Sequence, residues 1–391
     1  MEGDFIKIRE SLLPLSWLYG CAVSLRNFCF DMGLLKSRAF HIPVIAVGNI
    51  TVGGTGKTPH VEYLIRLLQE KFKVAVLSRG YKRKSSGFVL ADSNTTARMI
   101  GDEPAQMKQK FPGVSVAVDK KRVHGIEQLI GDDQSLDVVL LDDAFQHRYV
   151  KPGINILLVD YHRLIIYDKL LPAGRLREPL KGKNRADIVI VTKCPRELKP
   201  MEYRVLTKAM NLYPYQQLFF TTLDYGSPVS IFDTGKTLEL SMLKTKNVLL
   251  LTGIAQPRQM TEDLQPLCAS LTSLSFPDHH AFKRKDVERI NQAFAALPDS
   301  KCIITTEKDA ARLLSIEGLS DAVRQQLYAL PVFVSFIQKE QKERFDDFIQ
   351  GYVMKNSRNS ILTKGKDERK QNSDHAPAKE ARPQTIRFIN K

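Results

Sequence analysis

Cysteine is scarce in this chain: the five in 391 residues, Cys21, Cys29, Cys194, Cys268 and Cys302, are scattered, form no CxxC pair and leave one over in any pairing scheme. A disulfide scaffold is excluded, and the pattern fits a reducing compartment. Acidic residues are short too, 43 against 58 Lys and Arg, for a formal charge of +15 and a pI near 9.5. The surplus favours anionic partners without choosing among nucleotide phosphates, nucleic acid and acidic lipid. No repeat of solenoid length is present. The basic residues are dispersed and no nucleic-acid-binding module is recognisable, which argues against nucleic acid. Long apolar runs are missing as well. The most apolar stretch, residues 11–25, is interrupted by Pro14 and stopped by Arg26, short of the roughly twenty residues that a spanning helix needs.

What the chain does have is length and enough apolar residues, 43%, to bury a core and form two globular units. A secretory signal at the N-terminus conflicts with the glycine-rich run Gly48–Thr58 that follows it, which ends in Gly-Lys-Thr and reads as a loop for a cytosolic nucleotide, so two readings of residues 1–40 stay open. One is a helix lying in a membrane interface, with Trp17, Tyr19, Phe28 and Phe30 as anchors and Lys36 and Arg38 near headgroups. The other is a helix packed on the protein's own core.

From Ile42 onward, short β-branched runs alternate with segments of helical period, the signature of an α/β fold with a mostly parallel sheet and flanking helices. Strands are expected at 42–47, 74–77, 114–118, 138–141, 154–159 and 188–191, and helices at 57–70, 103–110 and 120–130. The pattern loosens through Pro195, Pro200, Pro214 and Pro228, with strand-like pieces at 217–222 and 229–232. A second α/β rhythm follows, ending in a strand at 332–337 and a helix at 340–353. The expected division is an N-terminal segment 1–40, a P-loop core 41–212, a connecting β-ribbon 213–246, a smaller α/β domain 247–354 and a basic, disordered tail 355–391.

The strongest chemical signal is Gly48–Thr58 (GNITVGGTGKT), between an expected strand and an expected helix, which is the setting a P-loop requires. There the amides of Thr51, Val52, Gly53, Gly54, Thr55, Gly56, Lys57 and Thr58 can surround ATP phosphates, with Lys57 reaching the outer phosphates and Thr58 holding Mg²⁺. Thr51 stands where the strict pattern has glycine. A second element, Val138–Asp143, is an apolar strand ending in the carboxylates Asp142 and Asp143, hard oxygen ligands that suit Mg²⁺. Gly101-Asp102-Glu103-Pro104 is either the cap of a helix or a site for a general base, Asp102, that accepts the proton of an incoming hydroxyl. Asp278-His279-His280 either forms a surface cluster or orients that base. Arg79, Lys82, Arg83, Lys84, Lys120, Lys121, Arg122, Arg175 and Arg177 are available to phosphate or lipid, Arg79 foremost because it follows a strand. Neither Thr306–Asp309 nor Thr192-Lys193 completes a guanine-reading Asn-Lys-x-Asp, against a GTPase.

Taken in order, Gly48–Thr58, Ser78–Tyr81, Gly101–Pro104, Leu141–His147 (LDDAFQH), Leu171–Pro179 (LPAGRLREP), Phe276–His279 and Thr306–Asp309 resemble the tetraacyldisaccharide 4'-kinase family over about residues 10–350. The resemblance implies two α/β domains joined by a β-ribbon, and transfer of the ATP γ-phosphate to the 4'-hydroxyl of a tetraacylated glucosamine disaccharide 1-phosphate. The product would be lipid IV-A, in lipid A biosynthesis. It implies catalysis by Asp102 supported by His279, Mg²⁺ assistance from Asp142, Asp143 and Glu103, and attachment by an N-terminal helix to the cytoplasmic face of the bacterial inner membrane. No obligate protein partner is implied. Ala144 departs from the family's usual glycine, and the tail lies outside the match. The alternative is a P-loop switch or metallochaperone-type NTPase acting on a partner protein.

Overall fold

A computed structural model of the chain describes residues 8–233, 235–254, 257–278, 280, 282–314 and 316–357. It begins with α1 (Leu13–Asp31), β1 (Val44–Gly48), α2 (Lys57–Leu68), β2 (Val74–Ser78), β3 (Val89–Leu90), α3 (Ala97–Ile100), α4 (Asp102–Lys110) and β4 (Ser115–Val118). There follow α5 (Arg122–Asp132), β5 (Val138–Asp142), β6 (Ile154–Asp160), β7 (Ile188–Thr192), α6 (Pro200–Met210), β8 (Gln217–Tyr225) and β9 (Val229–Ser230). The remainder is β10 (Asn247–Thr252), α7 (Arg258–Leu264), β11 (Ser270–Ser275), α8 (Arg284–Ala295), β12 (Lys301–Thr306), α9 (Glu307–Leu313), α10 (Asp321–Gln325), β13 (Leu327–Leu330), β14 (Val332–Phe336) and α11 (Lys339–Asn356).

The strands form a nine-stranded sheet, β14-β8-β7-β6-β1-β5-β2-β4-β3, and a five-stranded sheet, β11-β10-β12-β13-β9. In the larger sheet β1, β2, β4, β5, β6, β7 and β8 pair in parallel, while β3 and β14 close its edges antiparallel. Helices cover both faces, so the central strands are buried on both sides and read as continuous Val, Ile and Leu runs. Alternation still sorts them: Ile45 and Val47 join one core layer, Val44 and Ala46 the opposite one. Because β1, β5 and β2 are parallel neighbours, with Val47 beside Asp142 and Leu77 beside Leu141, Gly48, Asp142 and Ser78 end at one carboxyl edge. That edge is where open α/β sheets bind ligands.

Several expectations need correction. The strand at 332–337 and the helix at 340–353 do not pack with the second sheet. β14 pairs with β8 of the large sheet, and Phe345, Ile349 and Val353 of α11 sit in its core. Hydrophobic period specifies the type of an element but not its partner. β8 likewise is a full member of the large sheet, parallel to β7, and not only ribbon. The chain crosses between the sheets twice, from β8 to β9 and from β13 to β14. The loose region near Pro200 contains α6, because proline is compatible with the first turn of a helix, where its missing N–H has no partner to lose. Of the basic tail, 358–391 lies outside the described residues.

α1 docks through its small and polar face. Ser16 Oγ donates to the Leu170 carbonyl (2.9 Å) and accepts from the Ala173 amide (2.9 Å), and Tyr19 Oη donates to the Arg177 carbonyl (2.7 Å). The opposite face exposes Trp17 (71%), Leu18, Leu25, Phe28 and Met32. Among the described residues no helix is long and apolar enough to cross a membrane.

Candidate active site

The loop between β1 and α2 is fastened by its carbonyl groups. Thr192 Oγ1 donates to the Thr55 carbonyl (3.0 Å), Lys193 Nζ to the Gly54 carbonyl, and His60 Nδ1 to the Gly56 carbonyl (2.7 Å). In a trans peptide the N–H points opposite to the C=O of the same unit. Holding those three carbonyls against the protein body therefore turns the amides of Thr55, Gly56 and Lys57 the other way, the arrangement an anion requires. Gly56 takes φ +79° at the start of α2, a left-handed conformation that costs glycine little. Asn49 Nδ2 donates to Thr55 Oγ1 (2.8 Å), and Thr51, in place of the expected glycine, bridges to Leu176 while the Val52 amide donates to the Arg175 carbonyl (2.8 Å). The LPAGRLREP segment thus forms the loop's outer wall.

His60 is buried, and burial pushes it down to about 4, so it is neutral near pH 7. A carbonyl can only accept, so Nδ1 carries the proton and Nε2 accepts from Thr221 Oγ1 (3.1 Å). The loop is thereby joined to β8. Lys193 is fixed in turn by Asp160 (2.8 Å).

Opposite the loop stand the acids. Asp142 is buried at the end of β5, and Ser78 Oγ donates to its Oδ2 (3.0 Å), whereas its buried Oδ1 has no hydrogen-bond partner among the described residues. Burial, then the nearby charges of Glu103 and Asp143, raise it to about 7. Asp143 (φ +47°) moves the other way: burial raises it, but Lys57 (3.6 Å) and Arg177 (3.4 Å) outweigh burial and lower it. Gly48 permits this packing, since a Cβ there would lie 2.7 Å from the Phe145 amide nitrogen. Arg122, also buried, donates to the Asp142 carbonyl (3.2 Å). Burial lowers it to about 10, and it stays cationic near pH 7. Among the described residues no three His, Cys, Asp or Glu side chains form a preassembled metal cage.

Asp102 and Glu103 open α4 on the same side. Asp102 accepts from Arg312 Nε (3.0 Å) and Nη2, and Glu103 pairs with Lys308 (3.2 Å), both partners on α9 of the second sheet. Asp278 lies 3.9 Å from Lys308, whereas His280 bonds Asp286 (2.8 Å) and stacks on Phe276, a local structural role. His279 lies outside the described residues.

A model of the tetraacyldisaccharide-1-P 4'-kinase family matches residues 8–351. The chain belongs to that family. The chain is 59% identical over 364 residues to a tetraacyldisaccharide 4'-kinase of Phocaeicola vulgatus, covering 92% of this chain and 99% of that protein. To the enzyme of that name from Bacteroides thetaiotaomicron it is 53% identical over 373 residues, covering 93% and 98%. The crystal structure of LpxK from Aquifex aeolicus in complex with ATP matches with a TM-score of 0.68 and 30% identity, covering 87% of this chain and 98% of that one.

Within this tetraacyldisaccharide 4'-kinase family member, the fold brings the P-loop residues 51–58 and the acids Glu103, Asp142 and Asp143 to one edge. Arg177 joins them through Asp143. Arg83 turns away, donating to the carbonyls of Val118 (3.2 Å) and Gly87, and Lys82 lies over the Tyr81 ring. His60, Asp160 and Thr221 belong to no motif of the sequence, and nothing in the sequence around Lys193 marks it for this role. One signal was available: His60 is four residues after Gly56, on the buried face of α2.

Proposed function

We propose that the chain transfers the γ-phosphate of ATP to the 4'-hydroxyl of a tetraacylated glucosamine disaccharide 1-phosphate. The family membership makes it an ATP-dependent kinase of lipid A biosynthesis. The observation that carries the residue assignment is the meeting of the amide-lined loop, Lys57 and the Asp142–Asp143 pair with the Asp102-Glu103 turn, close enough for Glu103 to raise Asp142.

In this reading the 51–58 loop binds the triphosphate through the outward amides of Thr55, Gly56 and Lys57 and the Lys57 ammonium, which exchanges its contact with Asp143 for phosphate oxygens, while the Val52 amide stays bonded to Arg175. The unpartnered Oδ1 of Asp142, buried among other carboxylates, fits a cation, and Asp142, Asp143, Glu103 and Thr58 would hold Mg²⁺. Such an ion usually keeps waters and phosphates among its ligands, so these side chains need not complete its coordination. Bound there, Mg²⁺ would neutralise charge on the outer phosphates. Asp102 orients the 4'-hydroxyl and takes its proton as the oxygen–phosphorus bond forms. The bond to the β–γ bridging oxygen breaks and ADP leaves. His279 would support Asp102.

The acceptor is acylated, and α1 supplies the means to meet it. Its exposed stripe, Trp17, Leu25, Phe28 and Met32, follows helical spacing, with Lys36 and Arg38 beyond its end. This suits a helix lying in a membrane interface, here the cytoplasmic face of the inner membrane, where ATP and the lipid meet. The test is mass spectrometry of tetraacyldisaccharide 1-phosphate incubated with the purified full chain and Mg-ATP. A lipid one phosphate heavier is expected. ATP consumed with the lipid unchanged would refute the reading.

A further inference from the structure

α4 of the large sheet and α9 of the small one face each other with alternating charge. Asp102 meets Arg312, Glu103 meets Lys308 (3.2 Å), and Lys110 meets Glu307 (2.7 Å) while also binding Glu62 (2.7 Å). These contacts differ in what they can do. The Lys110–Glu307 pair touches none of the reacting groups, whereas Arg312 binds the carboxylate assigned as the base.

Arg312 is itself tightly held. Its Nη1 donates to Asp309 Oδ1 (2.9 Å), and Asp309 is buried, its Oδ2 accepting from the Gly253 amide (2.8 Å) and from Thr306 Oγ1 (2.7 Å). The planar guanidinium therefore spans two carboxylates, one edge anchored in the second sheet and Nε and Nη2 both directed at Asp102 Oδ2. Fixing one oxygen by two N–H groups fixes where the other points. A lysine carries the same charge but lacks the plane that does this. Asp102 and Arg312 are both largely buried, with side-chain exposures of 20% and 11%, so water screens the pair little.

We propose that Arg312 is a positioning residue for Asp102: held by Asp309 on the second sheet, it orients the carboxylate that receives the acceptor's proton. The inference rests on the reading of Asp102 as base. It makes the second sheet part of the catalytic apparatus, since the base is aligned only while α9 lies against α4.

The test compares steady-state transfer by full-length Arg312→Gln, Arg312→Lys, Glu307→Gln and Asp102→Asn. Arg312→Gln is expected to lower kcat by about tenfold to a hundredfold, the scale of a slightly misplaced catalytic group. Its KM for ATP should stay within about twofold, because the interaction lost acts on the chemical step and not on nucleotide binding. Arg312→Lys should recover only part of the loss, and Glu307→Gln, which weakens the same helix contact away from the base, should keep most of kcat. Normal kcat in Arg312→Gln beside an inactive Asp102→Asn overturns the inference. So does an equal fall in Arg312→Gln and Glu307→Gln, or a loss of ATP affinity together with kcat, since either marks a brace or a folding role. An active Asp102→Asn would instead remove the parent reading.

Discussion

Asp142 is a carboxyl group with almost no water around it, and its titration has consequences for stability. An acid raised to about 7 by burial, Glu103 and Asp143 binds a proton in the folded chain over a range, from about pH 4 upward, where the unfolded chain has released it. Without ligand, stability contributed at this site is therefore greatest near pH 4 and is lost as pH rises toward 7. Asp142→Asn lacks that titration. Thermal unfolding should find it more stable than the parent at pH 8, by about 2–4 kcal/mol, with the gap closing near pH 4. Mg-ATP should reverse the order at pH 8, because asparagine supplies no anionic ligand. Lys57 makes a different prediction: Lys57→Ala should lower kcat/KM by about a hundredfold or more, the cost of one well-placed electrostatic contact to the transferring group. Asp143 keeps Arg177 as its partner in that variant, so melting temperature should change little. These groups were legible in the sequence because the P-loop and the Asp142-Asp143 pair are each contiguous. His60 and Arg312 were not, since their meaning lies in Thr221 and Asp102, partners far away in the chain.

At the scale of elements, the parallel core strands were legible because burial on both faces writes itself as uninterrupted β-branched runs. α6 was hidden by a proline at its start, and β14 was recognisable as a strand but not as a neighbour of β8. Of the two open readings of α1, packing on the protein's own core is met on one face by Ser16, Tyr19 and Gly20, while the other face exposes Trp17, Leu25 and Phe28. Its apolar stripe can be removed without touching its docking. Trp17→Asp combined with Leu25→Asp should abolish flotation with anionic liposomes while leaving the melting temperature nearly unchanged. Gly20→Leu attacks the other face, where even a Cβ would lie 2.7 Å from Leu170 Cδ1. It should destabilise the protein by about 1–3 kcal/mol, as overpacking does, measured by thermal unfolding. Undiminished flotation of the double variant would reject α1 as the anchor.

For the molecule as a whole, the two sheets are tied by a double crossing of the chain and by the facing charges of α4 and α9. The sequence suggested a second unit running to residue 354, whereas β14 and α11 return to the large sheet and leave β9–β13 as an insertion held at both ends. Pattern alone could not show this, because a strand's sheet is chosen by distant pairing and not by its own alternation. In the proposed reaction one edge of the large sheet binds the triphosphate while Asp102 accepts the proton of the lipid hydroxyl. The decisive experiment for this division of roles is single-turnover reaction of Asp102→Asn with γ-labelled ATP and tetraacyldisaccharide 1-phosphate, after ATP binding has been verified by calorimetry. Bound nucleotide and almost no labelled lipid are expected. Labelled lipid formed at the parent rate would contradict this division of roles.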